Sequence, residues 1–192
     1  MEGRRDPSVP AWAGRLTGDL DAADRFATGL ARGLNATQLN WRPTEGVWSV
    51  GQCLEHLRLA NDVYLAPIAN ALNGRQPSPV QEITPGWFGR WFIRTAIEPS
   101  SQRRRGRAPG RITPARQVDP SVLDLFLESN VSARNLIRRA AACDVNRIRF
   151  VNPFIPLVRF TVGTGLEIVT RHERRHLLQA ERIKRSPAFP PQ

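Results

Sequence analysis

Lysine is all but missing from this chain: of 28 basic residues only Lys184 is a lysine, and the rest are arginine. A preference so one-sided fits codon bias in a GC-rich genome better than selection for one kind of surface. The charge still has physical consequences. With 17 acidic residues the net charge is +11, which concentrates anions near the protein, whether nucleic acid, anionic lipid or a carboxylate substrate. Cysteine is scarce as well. Cys53 and Cys143 make neither a CxxC pair nor a disulfide ladder, which suits a reducing compartment and two small buried side chains. No apolar run approaches the ~20 residues that a bilayer span requires. The charged start, Met1-Glu2-Gly3-Arg4-Arg5, lacks the apolar core of a secretory signal. A cytoplasmic protein without membrane insertion is expected. Convincing alternating strands are also lacking, and the two short candidates, around Arg147 to Phe150 and Leu157 to Phe160, read as loop.

What is present is helical periodicity. The 192 residues suit one domain spanning 1–192, with a core from about 14 to 185 and a Pro-rich tail at 186–192. Leu16, Leu20, Ala23, Ala27, Leu30 and Leu34 recur at spacings of four and three, predicting a helix from Gly14 to Leu34. Ser49-Val50-Gly51-Gln52 has the form of a capping box and opens a second helix. Val50, Cys53, Leu57, Ala60, Tyr64 and Ile68 carry it to about Leu72, before Asn73-Gly74. Asp119-Pro120 reads as the cap and first residue of a third helix, with Leu123, Leu127, Asn130, Arg134, Ile137 and Ala141 on one face. A fourth runs from about Thr161 to Lys184. The expected fold is all-α, an antiparallel four-helix bundle with a long crossover between its second and third helices.

That crossover, 75–118, is irregular, basic and rich in proline. Its aromatic centre, Trp87-Phe88-Gly89-Arg90-Trp91-Phe92-Ile93, is expected to pack itself, as a short helix, and to leave the arginines wet. Exposed aromatics there would favour a homodimer.

Three histidines complete the scarce residues, and their placement carries the chemistry. On the fourth helix the core stripe Val162, Leu166, Val169, His172, His176, Ala180, Ile183 holds imidazole at two positions that call for apolar side chains. At i and i+4 the rings share one face, a spacing that lets two nitrogens reach one ion at ~2.1 Å. The remaining histidine, His56, lies beside the apolar stripe of the second helix, and bundle metal sites are built from facing helices. The same residues also read as hydrogen-bonded core or surface histidines with His56 an unrelated neighbour. His172-Glu173-Arg174-Arg175-His176 spells the HExxH of zinc proteases. The extension beyond it offers no glycine or third histidine, and Glu181 stands on the same helix, so protease chemistry is not expected.

Trp41-Arg42-Pro43, followed by Trp48-Ser49 and His56-Leu57, resembles the W-x-P…W-S…H-L signature of the DinB/YfiT-like superfamily. The stretch His172 to Gln179 is similar to its C-terminal H-x-x-x-H-x-x-Q element. The resemblance runs from about Leu16 to Ile183. It implies a four-helix bundle and a divalent metal, zinc or nickel, held by His56, His172 and His176. Relatives of that kind use low-molecular-weight thiols, as bacillithiol S-transferases and mycothiol-dependent maleylpyruvate isomerases. The arginine-rich crossover is explained by no shared motif.

The expected activity is a metal-dependent thiol S-transferase or hydrolase acting on a small molecule, with metal activating a thiol or water. Glu173 and Glu55 are the expected bases, and Arg175 and Arg134 the expected holders of substrate carboxylates. The alternative is a non-catalytic protein whose Arg103, Arg104, Arg105, Arg107, Arg111 and Arg116 track an anionic partner such as nucleic acid. No nucleic-acid-binding motif supports it.

Overall fold

The computed structural model describes residues 9–97 and 108–191; Arg103, Arg104, Arg105 and Arg107 lie outside them. Helices α1 (Ala11–Ala31), α3 (Val50–Leu72), α5 (Val122–Ala140) and α6 (Val162–Lys184) make up most of the described chain. Between them stand the shorter α2 (Ala36–Asn40) and α4 (Trp87–Phe92), with a π-helical turn at Ile93–Ile97. Strands β1 (Arg149–Val151) and β2 (Arg159–Thr161) form an antiparallel pair. The protein is predominantly helical, and the four long helices pack α3 on α5 and α6, and α1 on α5 and α6.

Apolar side chains gather in two clusters, one at each end of these helices. The first takes Leu16 and Leu20 of α1, Tyr64 and Ile68 of α3, Leu136 and Ile137 of α5, and Val162 and Leu166 of α6. The second takes Ala27 and Leu30, Cys53 and Leu57, Val122 and Phe126, and Leu177 and Ile183 from the same helices. The sequence order within each cluster gives every helix a direction. Helices α1 and α6 run from the first cluster to the second, and α3 and α5 from the second to the first. Antiparallel packing therefore holds for α1 with α5 and for α3 with α6, whereas the consecutive long helices α3 and α5 share a direction. The chain of 73–121 has the length to return: a 23-residue helix spans only ~35 Å.

Between the two clusters lies a polar layer. Asn61, Ser129, Asn130 and Glu173 are all buried there. Each is hydrogen-bonded across helices, as burial of polar groups requires. This explains why α5 carries asparagine on its inner face.

Four local expectations are corrected. The segments expected as loop contribute β1 and β2, because Phe150 and Phe160 face inward opposite each other while their neighbours face out. Helix α1 lies three residues earlier than expected, since the chain turns at Gly33 with φ +84°, a conformation natural to glycine. Helix α5 starts at Val122 rather than at the proline: Asp119 Oδ1 accepts from Ser121 N, and Val122 N donates to Asp119 O, so a tight turn precedes the helix. In α4, Phe88 and Phe92 pack on Phe160, but Trp87 and Trp91 are 75% and 53% exposed. Both cysteines are buried as expected.

The hairpin is seated tightly on α6. A Cβ at Gly165 would lie 2.6 Å from the Phe150 ring and 2.9 Å from Ile68. Gly165→Ala is expected to destabilise the protein by about 1–3 kcal/mol, despite alanine's better helix propensity. Chemical denaturation of the two proteins measures the difference.

Candidate metal centre

The site begins with the cap of α3. Ser49 Oγ accepts from Gln52 N, and Gln52 Oε1 accepts from Ser49 N, which fixes the helix start two turns before His56. The Gln52 amide also donates to Ala115 O at 2.8 Å, strapping the end of the crossover along α3. The same strap places Ile112 O 2.7 Å from His56 Nδ1. On α6, capped by Thr161 Oγ1, His172 and His176 stand one turn apart, and Gln179 Oε1 lies 3.0 Å from His176 Nδ1.

These contacts bring all three histidines together. Their ring centroids are 4.5–4.9 Å apart, and one nitrogen of each falls within 4.8 Å of the others. His56 Nε2 and His172 Nε2 are separated by 3.2 Å. At a metal–nitrogen distance of ~2.1 Å that separation subtends roughly 100°, between octahedral and tetrahedral angles. With Nδ1 of His56 and His176 each donating to an oxygen, their Nε2 lone pairs are left for a ligand, and the rings are held in orientation.

Electrostatics favours the neutral rings that a metal needs. Burial pushes His56 down to about 4 against the opposing bond from Ile112, with Arg175 lowering it further. Burial likewise pushes His176 down to about 3, with His56 and Arg175 adding to the effect. His172 is driven well below its ordinary value by burial, the other two imidazoles and Arg175. With His56 Nδ1 donating to Ile112 O, His56 Nε2 accepts from His172 Nε2 at 3.2 Å, and a bound cation would take the place of that shared proton. The donor set, all imidazole with apolar and aromatic neighbours, fits a divalent ion such as zinc or nickel. Three protein ligands also leave positions open. His56 and His176 are buried, while His172 is half-buried and forms the accessible edge. The Trp48 ring walls the other side, 4.6 Å from His56 and 5.7 Å from His176.

The other expected site residues are placed differently. Arg175 donates to Ala96 O at 2.6 Å, and its charge reaches all three histidines. Arg134 pairs with Asp24 at 2.7 Å and Asp21 at 3.2 Å, between α1 and α5. Glu55 is held by Arg58 at 2.9 Å. Glu173 is fully buried, and its oxygens accept from Asn61 at 3.0 Å and Asn130 at 3.2 Å. Its desolvation raises the carboxyl to about 8, outweighing the two amide bonds.

Sequence reasoning assigned no role to Trp48, Gln179 or the Ile112 carbonyl. The first two stand inside the signature segments. Ile112 acts through its backbone, so no side chain marks it.

Fold and site together define a helical protein with a buried three-histidine centre open on one edge. The family model of the DinB superfamily matches residues 19–180, and the chain belongs to that superfamily. No curated protein and no solved structure matches it.

Proposed function

We propose that this protein is a metal-dependent enzyme of the thiol S-transferase or hydrolase type, built as a four-helix bundle whose crossover flanks the metal end. The observation that carries the reading is the convergence of three imidazoles on one point, with His172 at the accessible edge. A divalent ion held by His56, His172 and His176 supplies Lewis acidity, which lowers the pKa of a thiol or of water.

The remaining residues bind, orient and exclude water. Trp48 backs His56 and His176 and excludes water from that side of the centre. Arg175, steadied by Ala96 O, receives a carboxylate of the thiol or of its partner substrate. Glu173, next to His172 in the chain but held by Asn61 and Asn130 in the polar layer, is the first base to test. Glu55, fixed by Arg58, is the second base to test, and Arg134 serves by neutralising Asp24 beneath Asn130.

Protein loaded with zinc or nickel, presented with low-molecular-weight thiols and electrophiles or with hydrolysable esters and amides, tests the proposal. Turnover that His56→Ala abolishes supports it, and no turnover with any pairing refutes it. Arg175→Leu is expected to raise KM for carboxylate-bearing substrates about tenfold or more with kcat changed less, as loss of uniform binding predicts. Steady-state kinetics of the two proteins measures the split.

A further inference from the structure

Away from the histidines, α4 and the hairpin make one surface. Phe88 and Phe92 of α4 pack on Phe160 of β2, with ring centroids 5.8 and 5.1 Å apart, so the two elements are joined from beneath. What they turn outward is apolar. Trp87 and Trp91, one helical turn apart, are joined by Val151, Ile155 and Leu157 of the hairpin, all exposed. Leu157 is 98% exposed and has φ 72°, a backbone conformation that leucine rarely adopts. The turn it sits in, closed by Val158 N donating to Ile155 O at 3.2 Å, calls for that backbone and not for a leucine side chain.

The charge on the same two segments has one sign. Arg90, Arg94, Arg147, Arg149 and Arg159 are exposed, and no acidic residue occurs in 83–97 or 145–161, although Asp144 at the border pairs with Arg147 at 3.5 Å. In the hairpin, Val151 pairs with Arg159, so apolar and cationic side chains alternate on the outer face. A second copy meeting this surface through a twofold axis would set arginine against arginine. A nucleic-acid backbone would answer the arginines and leave Val151, Ile155 and Leu157 without a partner. An anionic bilayer surface answers both, since tryptophan and leucine enter the headgroup boundary while arginine meets the phosphates.

We propose that this face docks on the surface of anionic membranes, with Trp87, Trp91 and Leu157 entering the interface and the five arginines contacting lipid headgroups. The protein lies on the bilayer and does not cross it: no helix among the described residues is long and apolar enough to do so.

Co-sedimentation of the full chain with vesicles of phosphatidylcholine and phosphatidylglycerol, beside pure phosphatidylcholine vesicles, is the test. Binding to the anionic vesicles alone, weakened by salt, is expected. Arg149→Gln with Arg159→Gln is expected to weaken it about 20- to 30-fold, the effect of two interfacial charges. Trp87→Ser, Trp91→Ser and Leu157→Ser together are expected to cost at least about tenfold. All these positions are exposed, and unchanged circular dichroism establishes that the variants fold. Equal binding to both vesicle types, no binding at low salt, or full binding by the triple variant overturns the proposal. A dimer in solution that the same substitutions dissolve also overturns it, and assigns the face to a second copy.

Discussion

Alanine in place of His176 is expected to weaken zinc or nickel binding by well over about a hundredfold. The loss of an outer-shell partner alone typically costs about 10- to 100-fold, and His176 is one of three donors converging on one point. Gln179→Ala, which frees the His176 ring without removing its nitrogen, is expected to fall inside that smaller range. Isothermal titration orders the three proteins as wild type, Gln179→Ala, His176→Ala. A second readout follows by linkage: free metal at a hundred times its Kd stabilises the wild type by about 2.7 kcal/mol, and the same concentration leaves His176→Ala nearly unshifted. Comparable affinities for wild type and His176→Ala would show that the histidines do not act as one site.

The second large effect is on stability against pH in protein stripped of metal. His56 and His176 are held below their ordinary value of 6.5, at about 4 and about 3, and His172 is lowered too. Each takes up its proton more readily unfolded, so its contribution is whole above pH 6.5 and is lost as pH falls through the folded value. Glu173 has the opposite sign. Its folded value of about 8 lies above the ordinary 4.5, so the native state binds the extra proton, and stability declines as pH rises toward 8. Stability is therefore expected to peak near pH 6.5, with a steep acid limb from three imidazoles and an alkaline limb of about 2 kcal/mol from one carboxyl. Glu173→Gln, which cannot ionise, is expected to flatten the alkaline limb and leave the acid limb in place. Denaturant titrations across pH 5 to 9 separate the two limbs. An unchanged alkaline limb in the variant would move that proton to another group.

Much of this arrangement is legible in the residues themselves. The periodicity of α3 and α6 marks both helices and puts His172 and His176 on a core face, where an unsatisfied imidazole is costly. The capping box at Ser49 and Gln52 fixes the start of α3 and with it the height of His56. The direction of α5 relative to α3 is not legible, because helical periodicity is the same read either way and only the length of 73–121 bears on it. Nor is the strap at Ile112, which orients His56 through a backbone carbonyl. The HExxH spelling does not show where Glu173 points. One residue along a helix is a turn of ~100°, so Glu173 faces Asn61 and Asn130 in the polar layer. The hairpin is not legible either, because strands of three residues are too short to establish an alternation.

Elemental analysis of wild type and His56→Ala, each incubated with zinc or nickel and then desalted, tests the three-histidine centre most directly. Close to one equivalent of metal per chain in the wild type and almost none in the variant is the predicted result. A wild type that retains no metal, or a variant that retains as much, would contradict it.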